Sequence, residues 1–302
     1  MQEIEKQTGY FESFDGTKIY YETRGKGKPI VFVYGIACLM NHWHPQMNYF
    51  AQNYQVISFD FRGHQKSPIP IDEAQVSIDA LARDTHALLA HLRLKSASFF
   101  GHSFGGQVLL RAYDLFPEQF ENLVFVNAFV KDPISNMFGV DVVPKIFNYV
   151  KEAHENYPQF LAMFWRATVL NPLVGPLSAL AGGFNLRLTS SRDIDIYARG
   201  LSSLDLGVFI RLFEDMMNYD GSSVLPKVKV PALIISGDDD NVTPHSHQVQ
   251  LHEQISGSEM QKVPYGSHCT QLDLPDFVNL RVDRFFADHE YPAPSRGKKK
   301  SG

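Results

Sequence analysis

Five short runs of continuous apolar character limit what this chain can fold into more than any other feature. They are PIVFVYG (29–35), YQVISFD (54–60), SASFFGH (96–102), NLVFVNA (122–128) and ALIISGD (232–238). Each is short and unbroken, the pattern of a strand covered on both faces. A weaker sixth run, EMQKVPYG, follows at 259–266. Ahead of them, GYFESFDGTKIYYETRG holds two alternating segments joined at Asp15-Gly16, which predicts a hairpin. Helical spacing fills the intervals. Ser77 is placed to cap a helix carrying Ile78, Leu81, Leu88 and Leu89, and further helices are expected over 105–115, 245–255 and 275–286. Strands alternating with helices predict an α/β fold: a mostly parallel central sheet with helices on both faces.

One stretch breaks the alternation. Between residues 131 and 226 no strand pattern is convincing, whereas VPKIFNYVKEA, YPQFLAMFWRATV and DLGVFIRLFEDMMNYD all carry helical spacing. The expected organisation is a core built from residues 1–130 and 227–292, a helical cap over 131–226 and a disordered tail over 293–302. Most of the cap's aromatics suit its own core, but a lid over a ligand pocket also turns apolar groups toward the ligand. Phe164 and Trp165 are the aromatics expected there.

Composition narrows the function classes. The 302 residues include 28 basic and 33 acidic ones, a net charge of −5 that argues against a nucleic-acid partner. The one charge run, Lys298 to Lys300, reads as a solvated terminus. Two cysteines, Cys38 and Cys269, are too few for a disulfide framework. No leader pattern is visible and no apolar run reaches the ~18 residues of a membrane span. A soluble cytoplasmic protein without stable membrane insertion is expected. The apolar segment Asn171–Phe184 is read as a cap–core contact, with docking on lipid as the alternative.

Gly101-His102-Ser103-Phe104-Gly105 stands between an apolar strand and a helix. A G-x-S-x-G in that setting lifts the serine onto a sharp turn at the strand's carboxyl end, with a helix N-terminus behind it. A serine hydroxyl needs a base, and the base needs an acid to orient it. His268 lies in the loop of VPYGSHCTQLDLPDF, and Asp238, Asp239 and Asp240 lie in the loop of LIISGDDDNVTP. All fall at carboxyl ends of predicted strands, where open α/β sheets gather ligands. His102 adjoins the serine and is expected to pack or line the pocket rather than act as the base. The pairs His42/His44 and His245/His247 lack a metal-ligand spacing, so no metal is expected.

Together DFRGHQKSP, GHSFGG, GDDDNVTP and YGSHCTQLDLPDFVN, in this order, resemble the motifs of the α/β-hydrolase superfamily. The similarity is to its capped members, which include epoxide hydrolases, haloperoxidase-like enzymes and many esterases, and it covers about residues 10 to 290. The resemblance implies Ser103 as nucleophile and His268 as base. It selects Asp240 as the acid through Gly-x-x-Asp with Pro four residues on, while Asp132 occupies an alternative family position. It also implies an oxyanion hole from the backbone N–H groups of Ile36 and Phe104. The chain departs from the pattern at Tyr34, where a histidine is usual, so Tyr34 is expected either to replace that hydrogen bond or to meet substrate. Gln65 stands where glycine is common.

The resemblance therefore implies a serine hydrolase of carboxylic esters with an apolar acyl or aryl group, working through an acyl-enzyme without cofactor. C–C bond hydrolysis, lactonase or perhydrolase chemistry on the same triad, and a hydrolase-fold receptor with little turnover, are the alternatives. A homodimer is left open.

Overall fold

The computed structural model describes residues 4–134, 143–169, 171 and 183–291. Eight strands form one sheet: β1 (Lys6–Glu12), β2 (Lys18–Arg24), β3 (Pro29–Val33), β4 (Gln55–Phe59), β5 (Ala97–His102), β6 (Phe120–Val126), β7 (Ala232–Gly237) and β8 (Glu259–Val263). Their order is β1-β2-β4-β3-β5-β6-β7-β8. The hairpin β1–β2 joins β4 antiparallel, and every later pairing is parallel. β3, β5, β6 and β7 are buried almost throughout. Their unbroken apolar sequences follow from having helices on both faces. β1 and β8 are the edges, which explains why their sequences are more polar.

Ten α-helices lie among the described residues: α1 (His44–Phe50), α2 (Ile78–His91), α3 (Phe104–Leu115), α4 (Val143–Asn156), α5 (Pro158–Val169), α6 (Ser191–Ser203), α7 (Leu206–Asn218), α8 (His245–Gln254), α9 (Thr270–Asp273) and α10 (Pro275–Asp288). Sequence spacing alone did not reveal α1, α6 or the single turn α9. Ser77 caps α2 as expected, accepting a hydrogen bond from Ala80 N–H at 3.2 Å, a contribution of about 1 kcal/mol. On one face of the sheet Phe100 packs against Phe32, Trp43, Phe50 and Phe286, with ring centroids 4.8 to 6.1 Å apart. Burial of each such ring stabilises the fold by about 1.5–3 kcal/mol.

A buried ion network ties the hairpin to α2. Arg62 donates from Nε and Nη2 to both oxygens of Asp84, at 2.9 and 2.6 Å, and from Nη1 to Asp15 at 2.7 Å. Ser13 Oγ adds a bond to Asp84. Arg62 and Asp84 side chains are fully buried, so each depends on the other to offset its lost hydration.

β4 and β5 flank β3; α2 and α3, which follow them, pack against each other, whereas α1, which follows β3, packs against α10. Val33 stands beside Gly101, and His102 beside Val126, so the carboxyl ends of β3, β5 and β6 lie side by side. The helices α4 to α7 occupy the interval between β6 and β7, with only an isolated bridge, Lys131–Asp220, among the described residues there. Most of the segment 171–184 and the tail 293–302, with its basic run at 298–300, lie outside the described residues. Among the described residues no helix is long and apolar enough to cross a membrane.

Candidate active site

Ser103 sits between β5 and α3 with φ 54° and ψ −125°. A non-glycine residue with positive φ costs about 1–3 kcal/mol and persists only where its surroundings enforce it. Here its N–H donates to Val126 O at 3.1 Å and its carbonyl accepts from Gly106 N–H at 2.8 Å. The turn also needs Gly105: a Cβ there would lie 2.5 Å from Val33 O and 2.6 Å from Tyr34 O.

From Ser103 the polar chain runs inward. Ser103 Oγ lies 2.9 Å from His268 Nε2, and His268 Nδ1 lies 2.9 Å from Asp240 Oδ2. The buried Asp240 carboxylate is held from its other side. Oδ1 accepts from the N–H groups of Val242 and Thr243, each at 2.9 Å, and Thr243 Oγ1 donates to Oδ2 at 2.7 Å. The neighbouring carboxylates go elsewhere. Asp238 pairs with Lys262 near the surface, and Asp132 Oδ1 accepts from Ile134 N–H at 2.8 Å. The backbone of Asp239 donates to Gly266 O at 2.9 Å.

Two residues hold the loop of His268. Asn127, just past β6, has φ 48°, a conformation Asn tolerates better than most side chains. Its Nδ2 donates to the carbonyls of Ser267 and His268, both at 2.7 Å, and its Oδ1 accepts from Gly237 N–H at 2.8 Å. His102 Nε2 lies 2.8 Å from the same His268 carbonyl and must donate to it. Asn127 and Thr243 were missed in the sequence. Thr243 had a local signal, the Asp-x-x-Thr turn that returns two N–H groups to the carboxylate. Asn127 had only its position directly after a buried strand.

Ser103 and His268 border a cavity of about 300 Å³. Its wall includes Ile36, Phe129, Phe184, Tyr197, Phe213 and Met216, so apolar groups from both sheet end and helices enclose it. Ile36 lines it from the turn after β3, where Cys38 N–H bonds to Gly35 O at 3.1 Å. Phe104 is the first residue of α3, where helix geometry leaves N–H groups without an intrahelical acceptor. Cys38 and Cys269 also reach the wall. Burial pushes the Cys38 thiol up to about 12 and the Cys269 thiol well above its ordinary value, so both stay protonated and unreactive.

The structure does not bring three of the expected contacts to this cavity. Tyr34 is fully buried, and its phenol oxygen accepts from Phe61 N–H at 2.7 Å, so it bridges two loops instead of lining the cavity. Phe164 is 60% exposed on α5. Trp165 packs on Phe209, centroids 5.1 Å apart, within the helices' own core. His102, by contrast, does line the cavity. Gln65, at φ 46°, donates from Nε2 to Gly200 O and Ser203 Oγ at 3.2 Å each, which ties the loop after β4 to α6. Among the described residues no group of three or more His, Cys, Asp or Glu is placed to hold a metal. His44 instead lies 3.1 Å from Asp193, and His245 Nδ1 lies 2.8 Å from Ser236 Oγ.

A family model described as the alpha/beta hydrolase fold matches residues 28–275. The chain is similar to the non-heme haloperoxidase of Rhodococcus erythropolis, 27% identical over 286 residues that cover 90% of this chain and 96% of that one. Among solved structures it resembles an esterase from Exiguobacterium antarcticum, with a TM-score of 0.71, 21% identity and coverage of 92% and 98%. It also resembles the enol-lactonase of Burkholderia xenovorans LB400, with a TM-score of 0.73, 19% identity and coverage of 92% and 100%. At these identities the likeness to the two structures is one of fold.

Proposed function

The chain belongs to the α/β-hydrolase fold family, and from that premise we propose that it is a serine hydrolase of carboxylic esters with an apolar acyl or aryl group. The observation that carries the reading is the continuous chain from Ser103 Oγ through His268 to Asp240, each link at 2.9 Å. A serine hydroxyl so placed can lose its proton to the imidazole while attacking a carbonyl carbon.

The steps follow from those contacts. Ser103 Oγ bonds to the acyl carbon as its proton moves to His268 Nε2. Asp240 holds the ring with Nδ1 protonated and offsets the charge of the imidazolium. The oxyanion meets the N–H groups of Ile36 and Phe104, donors whose directions are set before charge develops. Collapse expels the alcohol, which takes the proton from His268 and leaves an acyl-serine. Water, deprotonated by the same imidazole, then releases the acid. The apolar lining from Phe129, Phe184, Phe213 and Met216 supports an apolar acyl or aryl group. Turnover of p-nitrophenyl butyrate tests the reading: Ser103→Ala should lose at least ~10³-fold in kcat. Unchanged turnover by that variant would refute it.

A further inference from the structure

Asn127 and His102 hold the His268 loop by its carbonyls, and the loop's N–H groups turn to a different partner. Asp273, the last residue of α9, is buried. Its Oδ2 accepts from Ser267 N–H at 2.7 Å and from Ser267 Oγ–H at 2.6 Å. Ser267 Oγ in turn accepts from Cys269 N–H at 3.2 Å. One carboxylate oxygen thus ties both chain neighbours of His268. The other oxygen, Oδ1, accepts from the hydroxyl of the buried Thr189. Burial raises the Asp273 carboxyl above its ordinary value, and hydrogen bonds from Ser267, Thr189 and the Asn185 backbone oppose this by favouring the ionised form.

Thr189 lies in the approach to α6, on the helical side of the cavity. Its N–H donates to Asn185 O at 2.7 Å, and Asn185 Nδ2 donates to Tyr265 O at 2.9 Å, just ahead of Ser267. Phe184, Cys269 and Leu272 form one small apolar cluster, against which Ile194 and Tyr197 of α6 pack. Phe184 and Tyr197 also line the cavity, with ring centroids 5.3 Å apart. This part of the wall and the His268 loop therefore share hydrogen bonds and an apolar cluster, and neither shifts alone without losing them.

We propose that Asp273, held by Thr189, is a positioning residue for the reaction: it sets the backbone on both sides of His268, so that the seating of the α6 wall fixes where Nε2 lies relative to Ser103 Oγ. The inference rests on the serine-hydrolase reading, because it gives His268 the task of base. Asp240 directs the imidazole ring, whereas Asp273 directs the chain that carries it. Removing the Thr189 hydroxyl takes a donor from Oδ1 in a buried place. A buried acceptor deprived of its partner is costly, and the carboxylate regains one only by a shift that draws Ser267 and Cys269 with it. The contact of His268 with Ser103 spans 2.9 Å. A small displacement there slows attack and leaves substrate binding largely as it was.

Thr189→Val keeps the shape of the side chain and removes the hydroxyl. With p-nitrophenyl butyrate its kcat should fall about tenfold while KM changes less than about twofold, and the rate at which a fluorophosphonate labels Ser103 should fall by a similar factor. Thr189→Ser keeps the hydroxyl and should hold kcat within about twofold of wild type. A threonine that only seats the wall would raise KM and leave kcat alone. That result would overturn the proposal, as would wild-type kcat and KM in Thr189→Val, or equal losses in the Val and Ser variants. If Thr189→Val does not fold, Ser267→Ala decides, because it breaks the relay between Asp273 and Cys269 at its middle. The same fall in kcat supports the proposal, and an unchanged kcat contradicts it. Failure of the serine-hydrolase reading shows separately, as wild-type protein that the fluorophosphonate does not label.

Discussion

The cavity is walled by two regions that are held in place by different forces. On the sheet side the polar chain is fixed by hydrogen bonds. Ser103 is tied through its backbone, Asp240 accepts from three donors besides His268, and Asn127 clamps the His268 loop. On the helical side the fit is apolar. Phe213 stacks near Phe147 and Phe209 with centroids 4.8 and 5.4 Å apart, around a small core of Phe147, Leu206 and Ile210. Tyr149, Phe160, Met163 and Phe164 on the same helices remain exposed. Hydrogen bonds hold atoms to a few tenths of an ångström and fail steeply with angle, whereas dispersion contacts permit sliding and repacking. The proton transfer proposed between Ser103 and His268 needs the first kind of support. Accommodation of substrates of different shape is compatible with the second.

That contrast can be broken most sharply at Asp240. Asp240→Asn keeps the volume but places an amide where His268 Nδ1–H needs an acceptor, so kcat for p-nitrophenyl butyrate should fall by about 10³–10⁴-fold. A loss under tenfold would show that the sheet-side geometry is not what governs the rate. Next in size is a structural cost on the same side. Arg62→Ala leaves Asp84 buried beside Asp15 with no cation, and should destabilise the fold by about 3–5 kcal/mol in urea unfolding. A loss below 1 kcal/mol would mean that the network adds little rigidity beneath the site.

Acid should weaken the sheet side through its buried imidazoles. Burial pushes His64 down to about 4, from an ordinary value near 6.5. The unfolded chain binds that proton first, so the stability is whole above about pH 6.5 and is withdrawn as pH falls toward 4. His64→Gln should therefore lose about 1–2 kcal/mol less than wild type between pH 7.5 and 5 in urea unfolding. Equal losses would show that His64 is not kept neutral by the fold. The smallest effect is expected from the helices. Met216→Ala enlarges the wall without touching the polar chain. It should shift preference toward bulkier acyl groups while changing kcat/KM for p-nitrophenyl acetate less than about fivefold. A loss comparable to that of Asp240→Asn would erase the distinction between the two regions.

The same distinction explains what was legible in the sequence. Gly101 to Gly105, the Asp240 turn and the His268 loop are local patterns, because a tight turn restricts residue types within a few positions. The five buried strands were legible for the same reason. Asn127 was not, since its partners lie 140 residues away at Ser267 and His268. Tyr34 was open between a hydrogen bond within the protein and a substrate contact until its partner, Phe61 N–H across the neighbouring loop, was known. Phe164 and Trp165 illustrate the limit on the helical side. An aromatic on an amphipathic helix suits a cavity, a private core or solvent equally well by spacing alone, and here the pair went to solvent and private core.

The most direct measurement is mass spectrometry of the folded protein after exposure to a fluorophosphonate. The account predicts a single covalent adduct on Ser103, formed by wild type and lost on His268→Gln. Protein that stays unmodified, or carries its adduct on another residue, would contradict it.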